Sequence, residues 1–373
     1  MRRTAALKML FHDRATALGS VAGVVAIVFL VGQQLAIFFG LTGFMSSIAD
    51  NSGADVWVLA KNTENINAAG SIPLAWRDRV AGIAGVERVE PVMIAAGQLK
   101  RSDGRTVGVQ VVGCDPPRLA GGPNRYYRGS IADLLDPEAV TVDELELKEL
   151  GQPGIGDVLE VNGKRVRVAA ITNGLRGFGG TLLYSSVDKA REIAGTGADR
   201  CTALLISLDA GSDARRILAL IKRTLPRAEV FATADLSRTT KLYYLKNGGI
   251  GTSFGFTTLI AALVGLVIIA LTMYTNVISK SQDYAMLRVL GARRRDVLYI
   301  VFLQSLYVAL IGIFAGFLLL AGFVFGTRDS SLPVYLPPAV GPVLAAGTLL
   351  LSLMGSLLAM RRAVKIEPAS VFR

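Results

Sequence analysis

Four stretches of this chain carry no Asp, Glu, Lys or Arg: residues 15–49, 247–279, 297–327 and 330–360. A helix needs about 20 apolar residues to cross the hydrocarbon core of a bilayer, so each stretch is long enough to span once. A helix on the surface of a soluble domain turns a charged face to water, and none of these has one. The chain therefore reads as an integral membrane protein. Transmembrane helices are expected at 17–44, 247–279, 297–327 and 339–360, with a short loop at 328–338. The first uncharged run far exceeds the h-region of about 7–15 residues in a secretory signal, which makes it an uncleaved helix.

Basic residues orient these spans. Arg2, Arg3, Lys8 and Arg14 precede the first, in an amphipathic N-terminal segment over residues 1–16. Lys280, Arg288, Arg293, Arg294 and Arg295 fill the connector 280–296, and Arg361, Arg362, Lys365 and Arg373 lie in the tail 361–373. The loop near Arg328 and Asp329 is balanced. The positive-inside rule places both termini and the connector in the cytoplasm and residues 45–246 outside. The net charge of +11 then reports topology, not nucleic-acid binding.

Residues 45–246 read as a folded α+β domain inserted between helices 1 and 2. "ADVWVLA" (54–60) is β-rich, and "PLAWRDRVAGIAG" (73–85) starts with Pro as a short amphipathic helix. Residues 95–113 predict a hairpin turning at Asp103-Gly104, and 156–171 another at Asn162-Gly163. Residues 185–195 predict a helix. "TALLISLD", "SDARRILALIKRTLP" and "AEVFATAD" predict a strand–helix–strand unit capped near Ser212 or Asp213. Cys114 and Cys201 both fall here. Outside the cytoplasm a disulfide between them is permitted, and two separately buried thiols are the alternative.

Signals of catalysis are sparse. His12 is the one histidine, which excludes a His-based zinc site, and no metal pattern is present. "GTSFG" (251–255) fits G-x-S-x-G, but that elbow needs a strand-to-helix turn and a histidine partner. Small residues at Gly251, Ser253 and Gly255 instead suit close helix approach, as do Gly312/Gly316 and Gly322/Gly326. "GLRGFGGT" (174–181) lacks phosphate-binding spacing, and no G-x-x-x-x-G-K-[ST] occurs in the sequence. It reads as a loop, either flexible or a contact surface. The polar residues expected within the membrane, Gln33, Gln34, Asn276 and Gln304, are not ionisable. They suit hydrogen bonds between helices rather than ion-coupled transport.

The connector "SQDYAMLRVLGARRRDV" (281–297) is the most informative stretch. Met286, Val289 and Leu290 fall at i, i+3 and i+4, with Leu287 adjoining, and form an apolar ridge. Gly291 suits the left-handed position that stops a helix. Headgroup anchoring explains the arginines but not an apolar ridge, which calls for a partner groove.

"DYAMLRVLGARRRDV" with "FLQSL" and "GIFAG" resembles the segment after the second span of FtsX/MacB-type ABC transporter permeases. "MRRAVKIEPASVFR" resembles that family's ending and "LKMLFHDRATALGSVAGVVAIV" its opening. "MYTNVISKSQDYAMLRVLGA" and "TNGLRGFGG" look closest to the DevC-like branch, named for a heterocyst glycolipid exporter. Asp283-Tyr284 stands where many relatives have Glu-Ile, and Gln304 where many have glutamate. The resemblance implies a homodimer in the bacterial inner membrane, with two copies of a separate ATPase that binds ATP and Mg. This chain would hold no cofactor of its own. Asp283, Tyr284, Met286, Leu287, Arg288, Leu290, Gly291 and Arg293–Arg295 (Arg293, Arg294, Arg295) would then couple to the ATPase. Movement of the outer domain would export a lipid, glycolipid or other amphiphile, with a membrane-fusion adaptor and an outer-membrane duct. The alternative is an FtsX-like signalling subunit acting on a cell-wall hydrolase.

Overall fold

The computed structural model describes residues 14–364, with 102, 329 and 331 excepted. His12 and most of the N-terminal segment, and the tail from residue 365, lie outside the described residues. The chain divides into two compact units, Leu41–Gly251 on the one hand and Met1–Gly40 with Thr252–Arg373 on the other.

Helix α1 (Arg14–Met45) opens the chain without interruption. The outer unit then runs β1 (Val56–Ala60), β2 (Ile72–Pro73), α2 (Trp76–Ala81), β3 (Val86–Lys100), β4 (Thr106–Cys114), β5 (Tyr126–Arg128), β6 (Ala139–Asp143), β7 (Val158–Val161), β8 (Lys164–Thr172), β9 (Thr181–Ser186), α3 (Val187–Ala194), β10 (Arg200–Cys201), β11 (Ala203–Leu208), α4 (Ala214–Thr224), β12 (Ala228–Ala232) and α5 (Thr233–Asn247). It is a mixed α+β domain, as expected.

The main sheet has the order β12-β1-β11-β3-β4-β9-β6-β8-β5, and β7 pairs with both β3 and β8. That double pairing closes β3, β4, β9, β6, β8 and β7 into a ring. Alternation fills its interior: Leu99, Val109, Val111, Val140, Val142, Val161, Val166, Val168 and Leu183 point inward and meet Val187, Ala190 and Ile193 of α3. Beyond the ring, odd and even residues of β1 enter different cores. Trp57 and Leu59 pack with Leu236 of α5, whereas Val56 and Val58 pack with Ile217 and Ile221 of α4.

Turn chemistry set the registers. Lys100 pairs with Thr106 across the first predicted hairpin, where Gly104 takes φ +81°. Asn162 and Gly163 both take positive φ, at +49° and +76°, between β7 and β8, the two-residue geometry such turns demand. Ser186 and Gly195 cap α3, and Asp213, rather than Ser212, caps α4 by accepting from the Arg215 and Arg216 amides. The predicted β–α–β unit appears as β11, α4 and β12, with β1 inserted between its strands. One expectation fails. Pro73 starts no helix but pairs with Arg200 in a two-stranded ribbon, and α2 covers only Trp76–Ala81 before Gly82 ends it.

The membrane unit continues with α6 (Ile250–Ser279), α7 (Ser281–Val289), α8 (Arg294–Gly326) and α9 (Val340–Val364). Among the described residues, three helices are long and apolar enough to cross a membrane, over Ala17–Met45, Ile250–Thr272 and Arg295–Gly326. A shorter apolar stretch, Val340–Ser356, lies in α9. Val24 and Ile27 of α1 pack with Ile269 of α6 and Val297, Ile300, Val301 and Val308 of α8. Val28, Leu320 and Leu344 bring α1, α8 and α9 together.

Candidate functional site

The connector folds as the short helix α7 followed by a complete stop. Gly291 takes φ +96°, its amide donates to the Arg288 carbonyl at 3.1 Å, and the Ala292 amide donates to the Leu287 carbonyl at 3.0 Å. This pair of bonds satisfies the last carbonyls of a helix when a glycine sits just past its end. The chain restarts at α8, where the Arg293 amide donates to Asp296 Oδ2 at 2.9 Å, and Asp296 also places negative charge in the first turn.

The two faces of α7 differ. Tyr284 and Ala285 are fully buried, and the Tyr284 hydroxyl donates to Gln304 Oε1 of α8 at 2.8 Å. Met286, Val289 and Leu290 are 53%, 52% and 78% exposed and form the outward ridge. Leu287 does not belong to that ridge: it packs half-buried against the core that holds Tyr284, one position round the helix. The exposed face is thus Met286, Val289 and Leu290, flanked by the exposed Asp283, Arg293 and Arg295 and the half-buried Arg288. The backbone of Arg294 opens α8.

Close helix approach falls at only some of the expected glycines. A Cβ at Gly312 would lie 2.5 Å from Val24 Cβ, and one at Gly316 would lie 2.6 Å from Val28 Cβ, so α1 and α8 touch there through small residues. Gly251 meets the nearby Leu245, its carbonyl first, and Gly255, Gly322 and Gly326 have nothing within 4 Å. The spacing of small residues alone did not reveal which helix faces meet. Gln34 does join two helices, donating to Thr257 Oγ1 at 2.7 Å.

Of the two readings for the cysteines, the structure has separately buried thiols. Cys114 lies in the core with Trp57 and Cys201 in the core with Val58, on opposite faces of the sheet, and both are free. Burial pushes the Cys201 thiol up to about 12 and that of Cys114 higher still.

A buried polar cluster that sequence reasoning missed sits where β6 and β8 end. Arg176 Nε contacts Glu146 Oε1 at 3.1 Å, with the two side chains 10% and 6% exposed. Asp143 Oδ2 accepts from Thr172 Oγ1 at 2.9 Å and from the Leu175 amide at 2.8 Å. Desolvation dominates at Glu146, raising its carboxyl to about 7 although the Arg176 guanidinium pulls it down. Asp143 is raised by the same burial. Among the described residues, no group of His, Cys, Asp and Glu could hold a metal ion.

Two family models match the chain. Residues 15–224 match the MacB-like periplasmic core domain, and residues 255–368 match the FtsX-like permease C-terminal region. An uncharacterized ABC transporter permease of Mycobacterium tuberculosis, found in strains H37Rv and CDC 1551, is 23% identical over 353 residues, covering 90% of this chain and 92% of its own. Among solved structures, the periplasmic region of MacB from Actinobacillus actinomycetemcomitans aligns with a TM-score of 0.39 at 12% identity, over 52% of this chain and 94% of that one. The extracellular domain of the noncanonic ABC-type transporter YknZ from Gram-positive bacteria aligns with a TM-score of 0.34 at 12% identity, over 48% and 98%.

The chain belongs to the FtsX/MacB-type ABC transporter permeases. It is a membrane protein with a periplasmic or extracellular domain between its first and second spans, and an ABC transporter permease subunit. Such a subunit implies an ATPase partner.

Proposed function

We propose that this permease couples ATP hydrolysis by a separate, Mg-dependent ATPase to movement of its outer domain, and so exports a lipid, glycolipid or other amphiphile. The observation that carries the reading is the ridge Met286, Val289 and Leu290. Three apolar side chains held out on a stopped helix, beside Arg288, Arg293 and Arg295, suit an apolar groove with an acidic rim. In this reading both termini and the connector are cytoplasmic, the membrane is the bacterial inner membrane, and the chain works as a homodimer with two ATPase copies. Asp283, Tyr284, Gly291 and Arg294 then shape or flank the docking helix, and Leu287 braces it from within.

Similarity at "TNGLRGFGG" and the connector supports placement near the DevC-like branch, and with it a membrane-fusion adaptor and an outer-membrane duct. The poorly buried face of α6, with Phe256, Leu259, Leu263, Val267 and Leu271 exposed, suits lipid or a second copy of the chain. The test is co-purification. Met286→Asp and Leu290→Asp should each abolish recovery of the ATPase while the permease still inserts, and Leu287→Asp should instead lower the yield of folded permease. Retention of ATPase binding and stimulation in both ridge variants would overturn the docking assignment.

A further inference from the structure

The segment Asn173–Gly180 links β8 to β9, two strands of the closed ring, and the coupling reading gives it no role. Its sequence reads as a loop, either flexible or a contact surface, and in the structure its side chains are engaged within the same unit. At its base Asp143 accepts from Thr172 Oγ1 and the Leu175 amide, and Glu146 holds Arg176. Gly180 takes φ +133°, and a Cβ there would lie 2.7 Å from the Gly108 carbonyl oxygen, so the loop is pressed against β4.

From that base two side chains reach the helices that lead to the first two spans. The Arg176 guanidinium carbon lies 4.9 Å from the ring centre of Phe44, in the last turn of α1. The Phe178 ring lies 4.3 Å from that of Tyr244, near the end of α5. The turn at residues 65–67 joins the same two helices. Asn67 Nδ2 donates to the Met45 carbonyl at 2.7 Å, Asn65 Nδ2 donates to the Tyr244 hydroxyl at 3.0 Å, and Gln110 Nε2 of β4 donates to the Asn67 carbonyl at 3.3 Å.

We infer that Asn173–Gly180 is a clasp, with Arg176 gripping the end of α1 and Phe178 the end of α5, which makes the strand ring follow any displacement of the two helix ends. Arg176 and Phe178 are positioning residues. The inference rests on the proposed mechanical reading and adds to it the place where helix motion becomes motion of the outer domain. A loop that served only the stability of the ring would keep its own strands together and leave the helices free to shift against them.

The test uses the full chain in lipid nanodiscs with the ATPase that co-purifies with it. Spin labels go at Lys246→Cys, near the end of α5, and Glu160→Cys, on the ring; both sites are exposed, and the native cysteines are buried. Doubly labelled chains are diluted with unlabelled ones. Two quantities are read with and without ATP: the depth of the Lys246→Cys label below headgroup-bound nickel, and the distance between the two labels.

In the otherwise wild-type chain the depth should shift with ATP while the distance stays constant. In Phe178→Ala, and more fully in Glu146→Gln/Arg176→Met/Phe178→Ala, the depth shift should persist and the distance should become ATP-dependent. The triple change avoids leaving Glu146 charged and unpaired, and Phe178→Ala disturbs no buried charge. A constant distance in both variants, with the depth shift intact, overturns the clasp alone. Absence of any depth shift in the wild-type chain overturns the mechanical reading and, with it, the clasp.

Discussion

The Tyr284 hydroxyl in α7 donates to Gln304 Oε1 in α8 at 2.8 Å, and both side chains are buried. The bond fixes the short connector helix to the membrane helix that follows it, across a sharp turn at Gly291. A tyrosine here needs an acceptor once buried, and a neutral amide supplies one without placing a charge beside Val301 and Val308.

Tyr284→Phe should lower the stability of the full chain in detergent by about 1 kcal/mol, the usual net worth of one buried hydrogen bond. Gln304→Leu should cost a similar amount, and the two changes together should cost less than their sum, because they share a contact. A thermal double-mutant cycle measures the coupling, and strictly additive losses would show that the bond contributes nothing.

Glu146 makes the outer unit sensitive to pH. Its carboxyl is raised from an ordinary 4.5 to about 7 by burial, so the folded state holds that proton more tightly than the unfolded state does. Stability from this group is therefore complete below pH 4.5 and falls as pH rises toward 7, by about 3 kcal/mol for a shift of this size. Asp143, raised in the same direction, adds to the slope, and Arg176 opposes both. Glu146→Gln should flatten the fall without removing it. Hydrogen exchange of peptides from β8 and β9 between pH 4.5 and 8 reads the difference.

Much of this architecture was legible because single features decide it. Uncharged length marked the helices now seen as α1, α6 and α8, and Asn162-Gly163, Asp213 and Gly291 each meet a backbone requirement few other residues satisfy. The closed ring was not legible. Its closure depends on β7, four residues paired with β8, of which only Glu160 and Val161 also pair with β3, and no local pattern says that Leu99 will meet Val161. Leu287 was hard to place for a related reason: its chemistry equals that of Leu290, and only the neighbours across the turn decide that it lies half-buried while Leu290 is exposed. The Glu146–Arg176 pair was invisible because its partners lie 30 residues apart, on either side of the predicted hairpin at 156–171.

The glycines of α8 give a direct contrast. Gly316→Val places new atoms within about 3 Å of Val28 and should destabilise the packing of α1 on α8 by roughly 1–3 kcal/mol, the usual cost of overpacking. Gly322→Ala, which meets nothing within 4 Å, should instead gain up to about 1 kcal/mol through helix propensity. Thermal unfolding of the full chain in one detergent compares them, and equal effects would mean that α1 and α8 do not touch there.

Gly291 carries the last prediction, which concerns the orientation of the ridge. At φ +96° an L-residue is strained by about 1–2 kcal/mol, whereas the alternative of continuing α7 through Ala292 costs an alanine nothing. Gly291→Ala should therefore weaken the stop, breaking the bonds to the Arg288 and Leu287 carbonyls and lengthening the helix by a residue or two. Leu290 then loses its place at the end of the ridge, although no residue of the ridge has changed. On the proposed docking, ATPase recovery with Gly291→Ala should fall while expression and insertion hold. Gly291→Asn, whose side chain tolerates positive φ far better, should retain more of it. Equal recovery for alanine and asparagine would show that docking is indifferent to how the helix ends, and would shift the weight of the interaction to Arg293 and Arg295.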